Sequence, residues 1–162
     1  MSLFDIFRPK VELVKDKNGK VIIIQSGELI NILRTKQAVE PNLIYKIGDN
    51  DCRLCTKKSM EKFVKWSHVS NLTYKSEVFD CNKYATCLYA EIIRYFYPDL
   101  ACGEVWGESS WKYSNDSGQT WRRYYHGWNW FIDENRKLWW IEPQTDRIYE
   151  PDFERKVDFI KT

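Results

Sequence analysis

The chain has 162 residues, a length at which one compact domain buries a sizeable core. Its 43% hydrophobic and 30% charged side chains are a globular composition and exclude extended disorder. Twenty-five basic and 23 acidic residues, mixed along the chain, leave a net charge of +2 and argue against a phosphate-tracking surface, so no nucleic acid partner is expected.

No apolar run approaches the roughly 20 residues that span a bilayer, and Met1 to Lys10 lacks the apolar stretch of a secretory leader. The expectation is therefore a cytoplasmic protein without membrane contact, with residues 1–162 as a single domain. Five cysteines, an odd number, point to free thiols, metal ligands or a nucleophile rather than a disulfide framework. Aromatic residues reach 16%, and most of the eight tryptophans lie from Trp106 onward. Such enrichment builds either a bulky core or an exposed ligand platform.

In chain order, Val11 to Lys15 and Lys20 to Gln25 are apolar, β-branched runs around Asp16-Lys17-Asn18-Gly19, which predicts an N-terminal hairpin over 11–25. Ser26 is a helix-capping residue ahead of Leu29, Ile30 and Leu33, which share one helical face. Thr56 caps a second helix whose apolar positions are Met60, Phe63, Val64 and Trp66. A third helix starts at Cys81, carries the stripe Tyr84, Ala85, Leu88, Ile92, Tyr95 and Phe96, and stops before Pro98. Beyond it the pattern changes to antiparallel strands: Ala101 to Trp106, Trp121 to Ile132, Lys137 to Ile141, and a short Arg147 to Tyr149. The Ser-, Asn-, Asp- and Gly-rich stretch Glu108 to Thr120 reads as a mobile loop. The fold class is α+β, a central helix beginning at Cys81 packed on an antiparallel sheet, with residues 79–149 as the core that carries the site.

A cysteine in the first turn of a helix meets unpaired backbone N–H groups and the positive end of the helix dipole, both of which favour thiolate. Cys81 is so placed, although a small buried apolar residue would sit there equally well. A nucleophilic thiol needs a base, and the two histidines are His68, near the end of the second helix, and His126, within a strand. His126 alternates with Gly127, Trp128, Asn129 and Trp130, so its ring is committed to one face of the sheet. If Asp133 to Asn135 form a three-residue loop, Ile132 pairs with Arg136 and Glu142 falls opposite His126. An even loop, Glu134-Asn135, would turn Glu142 to the other face. Asn135 suits the left-handed last position of the odd loop, which is the register favoured here.

The order of Cys81 at a helix start, His126 on a strand and an acid after a hairpin resembles transglutaminase-like members of the papain-like cysteine enzymes. The stretches that carry the resemblance are Phe79-Asp80-Cys81, His126-Gly127-Trp128 and Trp140-Ile141-Glu142-Pro143-Gln144-Thr145. They are also similar to those of phage and prokaryotic proteins described as lectin-like. The resemblance implies a Cys81, His126, Glu142 triad supported by Asp80, with the Cys81 backbone N–H as one oxyanion donor and Asn129, Trp106 or Gln144 as the second. Asn82 stands where the family commonly has tryptophan.

Cys52 and Cys55 form one Cys-x-x-Cys pair with no second pair to complete a zinc site, and no cofactor or metal is called for. Two functions follow. One is a cysteine hydrolase or acyl transferase acting on an amide or ester. The other is a non-enzymatic module, in one version a phage accessory protein, that grips a peptide, protein or glycan through a Trp-rich sheet surface (Trp111, Trp121, Trp128, Trp130) and the 108–120 loop.

Overall fold

A computed structural model describes Pro9 and residues 12–35, 44–76, 78, 80–115, 118–151 and 156–162; the side chains of 44–45, 109–123 and 156 are not among them. The elements in order are β1 (Ile23–Gln25), α1 (Ser26–Thr35), β2 (Ile44–Lys46), β3 (Asp51–Arg53), α2 (Lys57–Ser67), α3 (Cys81–Tyr95), β4 (Cys102–Asn115), β5 (Gly118–Ile132), β6 (Leu138–Glu142), β7 (Arg147–Tyr149) and β8 (Lys156–Lys161). Six strands form one sheet in the order β2-β8-β4-β5-β6-β7, and β1 pairs with β3 apart from it. Its pairings are antiparallel except β2 with β8, which is parallel, so the sheet is mixed where the sequence predicted a purely antiparallel one.

The period-two alternation of β5 and β6 divides the interior into two layers. Trp128, Trp130 and Ile132, with Leu138 and Trp140, pack under β1 and α1 through Ile24, Leu29 and Leu33. Phe131, Trp139 and Ile141 pack with α2 and α3 through Met60, Phe63, Val64, Tyr84, Leu88 and Ile92. The tryptophans from 128 onward are therefore core: Trp128 and Trp130 are fully buried, and Trp139 and Trp140 nearly so. This corrects the Trp-rich surface at those positions, and the side chains of Trp111 and Trp121 lie outside the described residues. Thr56 caps α2 by accepting from the Ser59 amide, and Asp80 caps α3 by accepting from Lys83.

Two further expectations fail for identifiable reasons. The stretch read as a mobile loop is strand: β4 and β5 pair without interruption from Cys102↔Phe131 to Asn115↔Gly118. Its polar composition hid the fact that ladder hydrogen bonds come from backbone and do not require apolar side chains. The second concerns the β5–β6 turn. The loop has three residues, but they are Glu134 to Arg136, one position later than expected. Asp133 donates its amide to the Lys137 carbonyl, Arg136 donates to the Asp133 carbonyl, and Arg136 rather than Asn135 takes the left-handed conformation at φ 58°. Ile132 consequently faces Leu138, a register moved by two residues.

Side-chain partners explain the placement. Buried Asp133 accepts from the amides of Asn135 and Lys137 through Oδ1 (2.8 and 2.9 Å) and from the Trp139 indole N–H through Oδ2 (2.8 Å). Glu134 accepts from the Lys57 amide at the start of α2 (2.7 Å), and Arg136 pairs with Glu28 of α1 (3.0 Å). A second buried carboxylate, Glu104 of β4, accepts from Thr86 of α3 (2.9 Å) and Lys161 of β8 (3.0 Å), which pins the central helix to the sheet. Because removing Asp133 strands three donors, Asp133→Ala should lower unfolding free energy by about 2–3 kcal/mol, with Asp133→Asn losing less, as read by urea denaturation.

Candidate functional site

The β5–β6 pairing runs from Ile132↔Leu138 to Asn129↔Ile141, which puts Glu142 level with Trp128 and diagonal to His126. Moving the register by two preserves parity, so both side chains still share a face. The diagonal is short enough: His126 Nε2 lies 2.7 Å from Glu142 Oε2. His126 is buried, stacked on Trp128 with ring centroids 5.9 Å apart and edge-on to Tyr124 at 5.5 Å.

Helix α3 lies on the other face, against Gly127 and Asn129, and Gly127 is what lets its first turn reach the histidine. A Cβ at Gly127 would stand 2.6 Å from Asn82 Oδ1 and 3.0 Å from Asn82 Cα. With that space empty, the start of the helix rests directly on the strand. Even-numbered β5 residues turn their backbone groups to β4, as Ile132 does in donating to Ala101, so Tyr125 and Gly127 turn theirs the other way. The Cys81 sulfur sits there, 4.0 Å from the Tyr125 carbonyl oxygen, where the Gly127 N–H and the His126 ring both act to favour its charged form. Since Nε2 is engaged by Glu142, the ring nitrogen left for the sulfur is Nδ1.

Burial alone would raise the Cys81 pKa, and Asp80 adds to that. The hydrogen bonds from His126 and Gly127 and the charge of the imidazolium outweigh both, leaving the thiol below its ordinary value. Burial likewise disfavours the charged form of His126, but its bonds to Cys81 and Glu142 and the carboxylate's charge push its pKa up to about 9. The two groups are coupled, and both shifts run in the direction that favours a thiolate beside an imidazolium. Cys81 is alone among the five cysteines in this direction. Burial, with nearby carboxylates, raises Cys87, lifts Cys52 to about 11 and Cys55 to about 12, and buried Cys102 lies well above its ordinary value.

A cleft of about 870 Å³ opens over the three residues. Its wall includes Gln144 and Arg147 and the half-exposed rings of Tyr74, Tyr124 and Tyr125. These tyrosines were not singled out from the sequence. Tyr124 and Tyr125 were legible as aromatics next to His126, whereas Tyr74, seven residues before Cys81, carries no local signal. Of the expected supporting residues, Asp80 caps the helix and pairs with Lys83 (3.3 Å), and Gln144 lines the cleft. Asn129 is turned away: its Nδ2 donates to the carbonyls of Ala85 (2.9 Å) and Gly103 (3.3 Å), so it ties α3 to the sheet instead of facing a substrate. Trp106 packs on Phe159 (5.5 Å) and is not part of the cleft wall. Phe79 lies outside the described residues. His68 is an exposed residue that ends α2 in the left-handed conformation.

Cys52 and Cys55 are buried in different layers of the core, and among the described residues no cluster of three or more His, Cys, Asp or Glu side chains is arranged to hold a metal ion. No described helix is long and apolar enough to cross a membrane.

Solved structures that share the fold include two lectin-related ones. One is described as the PSL1a-E64 complex, at 19% identity and a TM-score of 0.69, covering 86% of this chain and 51% of that one. The other is the Polyporus squamosus lectin bound to a human-type influenza-binding epitope, Neu5Acα2-6Galβ1-4GlcNAc, at 20% identity and a TM-score of 0.58, covering 82% of this chain and 48% of that one. The chain thus spans about half the length of each. No protein-family model and no curated protein matches it.

Two measurements test the site. Iodoacetamide at pH 7 should label Cys81 ahead of Cys87, with the Cys81 rate falling as pH drops through its lowered pKa. The imidazolium partner should persist until His126 deprotonates near pH 9. Equal labelling of Cys81 and Cys87 would remove the activated thiol. Gly127→Ala should slow Cys81 labelling by about tenfold or more in a protein that still melts cooperatively, because displacement of the helix start misaligns the sulfur.

Proposed function

We propose that the chain is a thiol-dependent hydrolase or acyl transferase acting on an amide or ester bond, with Cys81 as nucleophile, His126 as proton carrier and Glu142 orienting the ring. The observation that carries this reading is that Cys81, His126 and Glu142 line the floor of one open cleft, with imidazole and carboxylate hydrogen-bonded at 2.7 Å and the ring lowering the pKa of the thiol. The finer fold reading, a papain-like arrangement, draws support from the same order of elements: helix-start thiol, strand imidazole, acid after a hairpin.

The chemistry follows from the charge states. The Cys81 thiolate attacks the substrate carbonyl carbon, and the carbonyl electron pair moves to oxygen. The backbone N–H of Cys81, in the first turn of α3, and the Gln144 side chain are the candidate donors to that oxyanion. As the tetrahedral adduct collapses, the C–N or C–O bond breaks and His126 Nδ1–H protonates the leaving amine or alcohol, which leaves a thioester and a neutral imidazole. Water, or an amine acceptor, then gives its proton to Nδ1 as it attacks the thioester, and departure of the sulfur restores the thiolate and imidazolium. Glu142 holds Nε2–H throughout, so the ring keeps Nδ1 toward the sulfur.

A p-nitrophenyl ester tests this directly. It should give an acyl adduct on Cys81 in quenched samples, and turnover of a peptide amide, whose leaving amine must be protonated, should follow a bell-shaped profile whose alkaline limb lies near pH 9, where His126 loses the proton it must donate. His126→Asn should lower turnover by roughly 10²- to 10⁴-fold. Glu142→Gln removes a charge that raises the ring's pKa, so its alkaline limb should move to lower pH. Absence of any adduct on Cys81 would overturn the reading.

A second reading is favoured by the lectin neighbours, and it assigns the cleft to a glycan, with Tyr74, Tyr124 and Tyr125 as stacking surfaces. Because the matched region is about half of each neighbour, the saccharide of the lectin complex bears on this chain only by analogy. Titration with that trisaccharide distinguishes the two: saturable binding kept in Cys81→Ala and lost in Tyr124→Ala supports the glycan reading, and no saturation removes it.

A further inference from the structure

Asn82 follows the nucleophile in the chain, and its side-chain Oδ1 lies 3.9 Å from the Cys81 sulfur in the accepting position. That orientation suits a thiol, whose S–H can donate. It does not suit a thiolate, which has no proton to give and would face the negative end of the amide. The two ends of a primary amide are nearly equal in size, so a half-turn about the last side-chain bond exchanges them without moving the backbone. The empty Cβ position of Gly127, 2.6 Å from Oδ1, shows where the amide sits: wedged between β5 and the sulfur. Among the described residues no other hydrogen bond competes for it.

We infer that Asn82 is a positioning residue for the nucleophile: its amide, turned to present Nδ2–H, donates to the Cys81 thiolate and holds the sulfur toward His126. The inference requires the thiolate reading of Cys81 given above. It also gives a use to the residue that departs from the tryptophan common in the resembling family. An amide fits here because Gly127 leaves room for only a short side chain between helix and strand.

Besides the Gly127 N–H and the Tyr125 carbonyl of the strand backbone, the charged and titratable side chains bearing on the sulfur and its cleft are these. His126 of β5 faces it, backed by Glu142 of β6, and Asp80, paired with Lys83, comes from its own helix. Tyr125 of β5, Tyr74 and Arg147 of β7 share the cleft. The amide differs from all of these in that orientation alone sets the sign of its effect. With Oδ1 toward the sulfur it stabilises the thiol, and with Nδ2–H toward the sulfur it stabilises the thiolate.

The pH dependence of Cys81 alkylation by iodoacetamide reads that sign on the full chain, by site-resolved mass spectrometry with Cys87 as internal reference. Asn82→Ala should raise the Cys81 midpoint by roughly half to one pH unit, the size expected for loss of one hydrogen bond to the charged form. Asn82→Asp, which keeps the shape but replaces the donor with a negative charge, should raise it further. A midpoint that stays put or falls in Asn82→Ala would overturn the inference, because a purely packing role or an accepting amide predicts one of those two results. Failure of the thiolate reading looks different: wild-type Cys81 would itself titrate in the ordinary thiol range.

Discussion

The approach of α3 to β5 at Gly127 is the contact on which the rest of the site depends. His126 lies on the Trp128 face of the strand and the helix lies on the opposite face, so under ordinary spacing thiol and imidazole would be separated by a layer of side chains. Removing one side chain closes the gap. The Asn82 backbone comes within 3.0 Å of where a Cβ would be, and the sulfur reaches the strand's own Gly127 N–H. Other interactions hold that approach in place from a distance: Asn129 gripping the Ala85 carbonyl, and Glu104 gripping Thr86 and Lys161. Each of these ties α3 to the sheet through a buried polar group whose partners are specific, which fixes the helix more narrowly than apolar packing would.

The electrostatics follow from that geometry. Burial works against both charged forms, raising a thiol and lowering an imidazole, and at Cys52, Cys55, Cys87 and Cys102 it acts with nearby acidic or thiol groups and prevails. Only at Cys81 does a partner of opposite charge reverse the outcome, and Cys81 and Glu142 together raise that partner's pKa. The carboxylate therefore acts on the sulfur through the ring, setting its charge as well as its orientation.

Much of this was legible in the sequence because it depends on parity and periodicity. The stripe from Tyr84 to Ile92, the cap at Thr56, and the shared face of His126 and Glu142 all follow from local spacing. Exact register did not, because the β5–β6 turn is fixed by Glu134 reaching the start of α2 and Arg136 reaching Glu28 on α1, partners about 77 and 108 residues away in the chain. The same holds for β8. Its six residues are an ordinary alternating stretch, and their place between β2 and β4 is set by long-range pairing. His126 and Glu142 share a face in either register, since a shift of two residues leaves every side chain on its original face. A shift of one would have separated the imidazole from the carboxylate.

The tryptophans illustrate how composition can be read correctly and placed wrongly. Their number reflects a real demand, but that demand comes from beneath the site. Trp128 stacks under the His126 ring and meets Trp140 edge-on at 5.8 Å, while Trp130 donates its indole N–H to the Lys161 carbonyl (3.2 Å) beside Gly103. Large flat side chains with few rotatable bonds make a stiff floor, so a ring resting on them keeps its orientation at little entropic cost. Tyrosines form the exposed rim instead, where a hydroxyl can face water while the ring offers an apolar surface. The division puts rigidity under the His126 ring and adaptability around the cleft, so that the orientation of the buried groups and the shape of the walls above them are set by different residues.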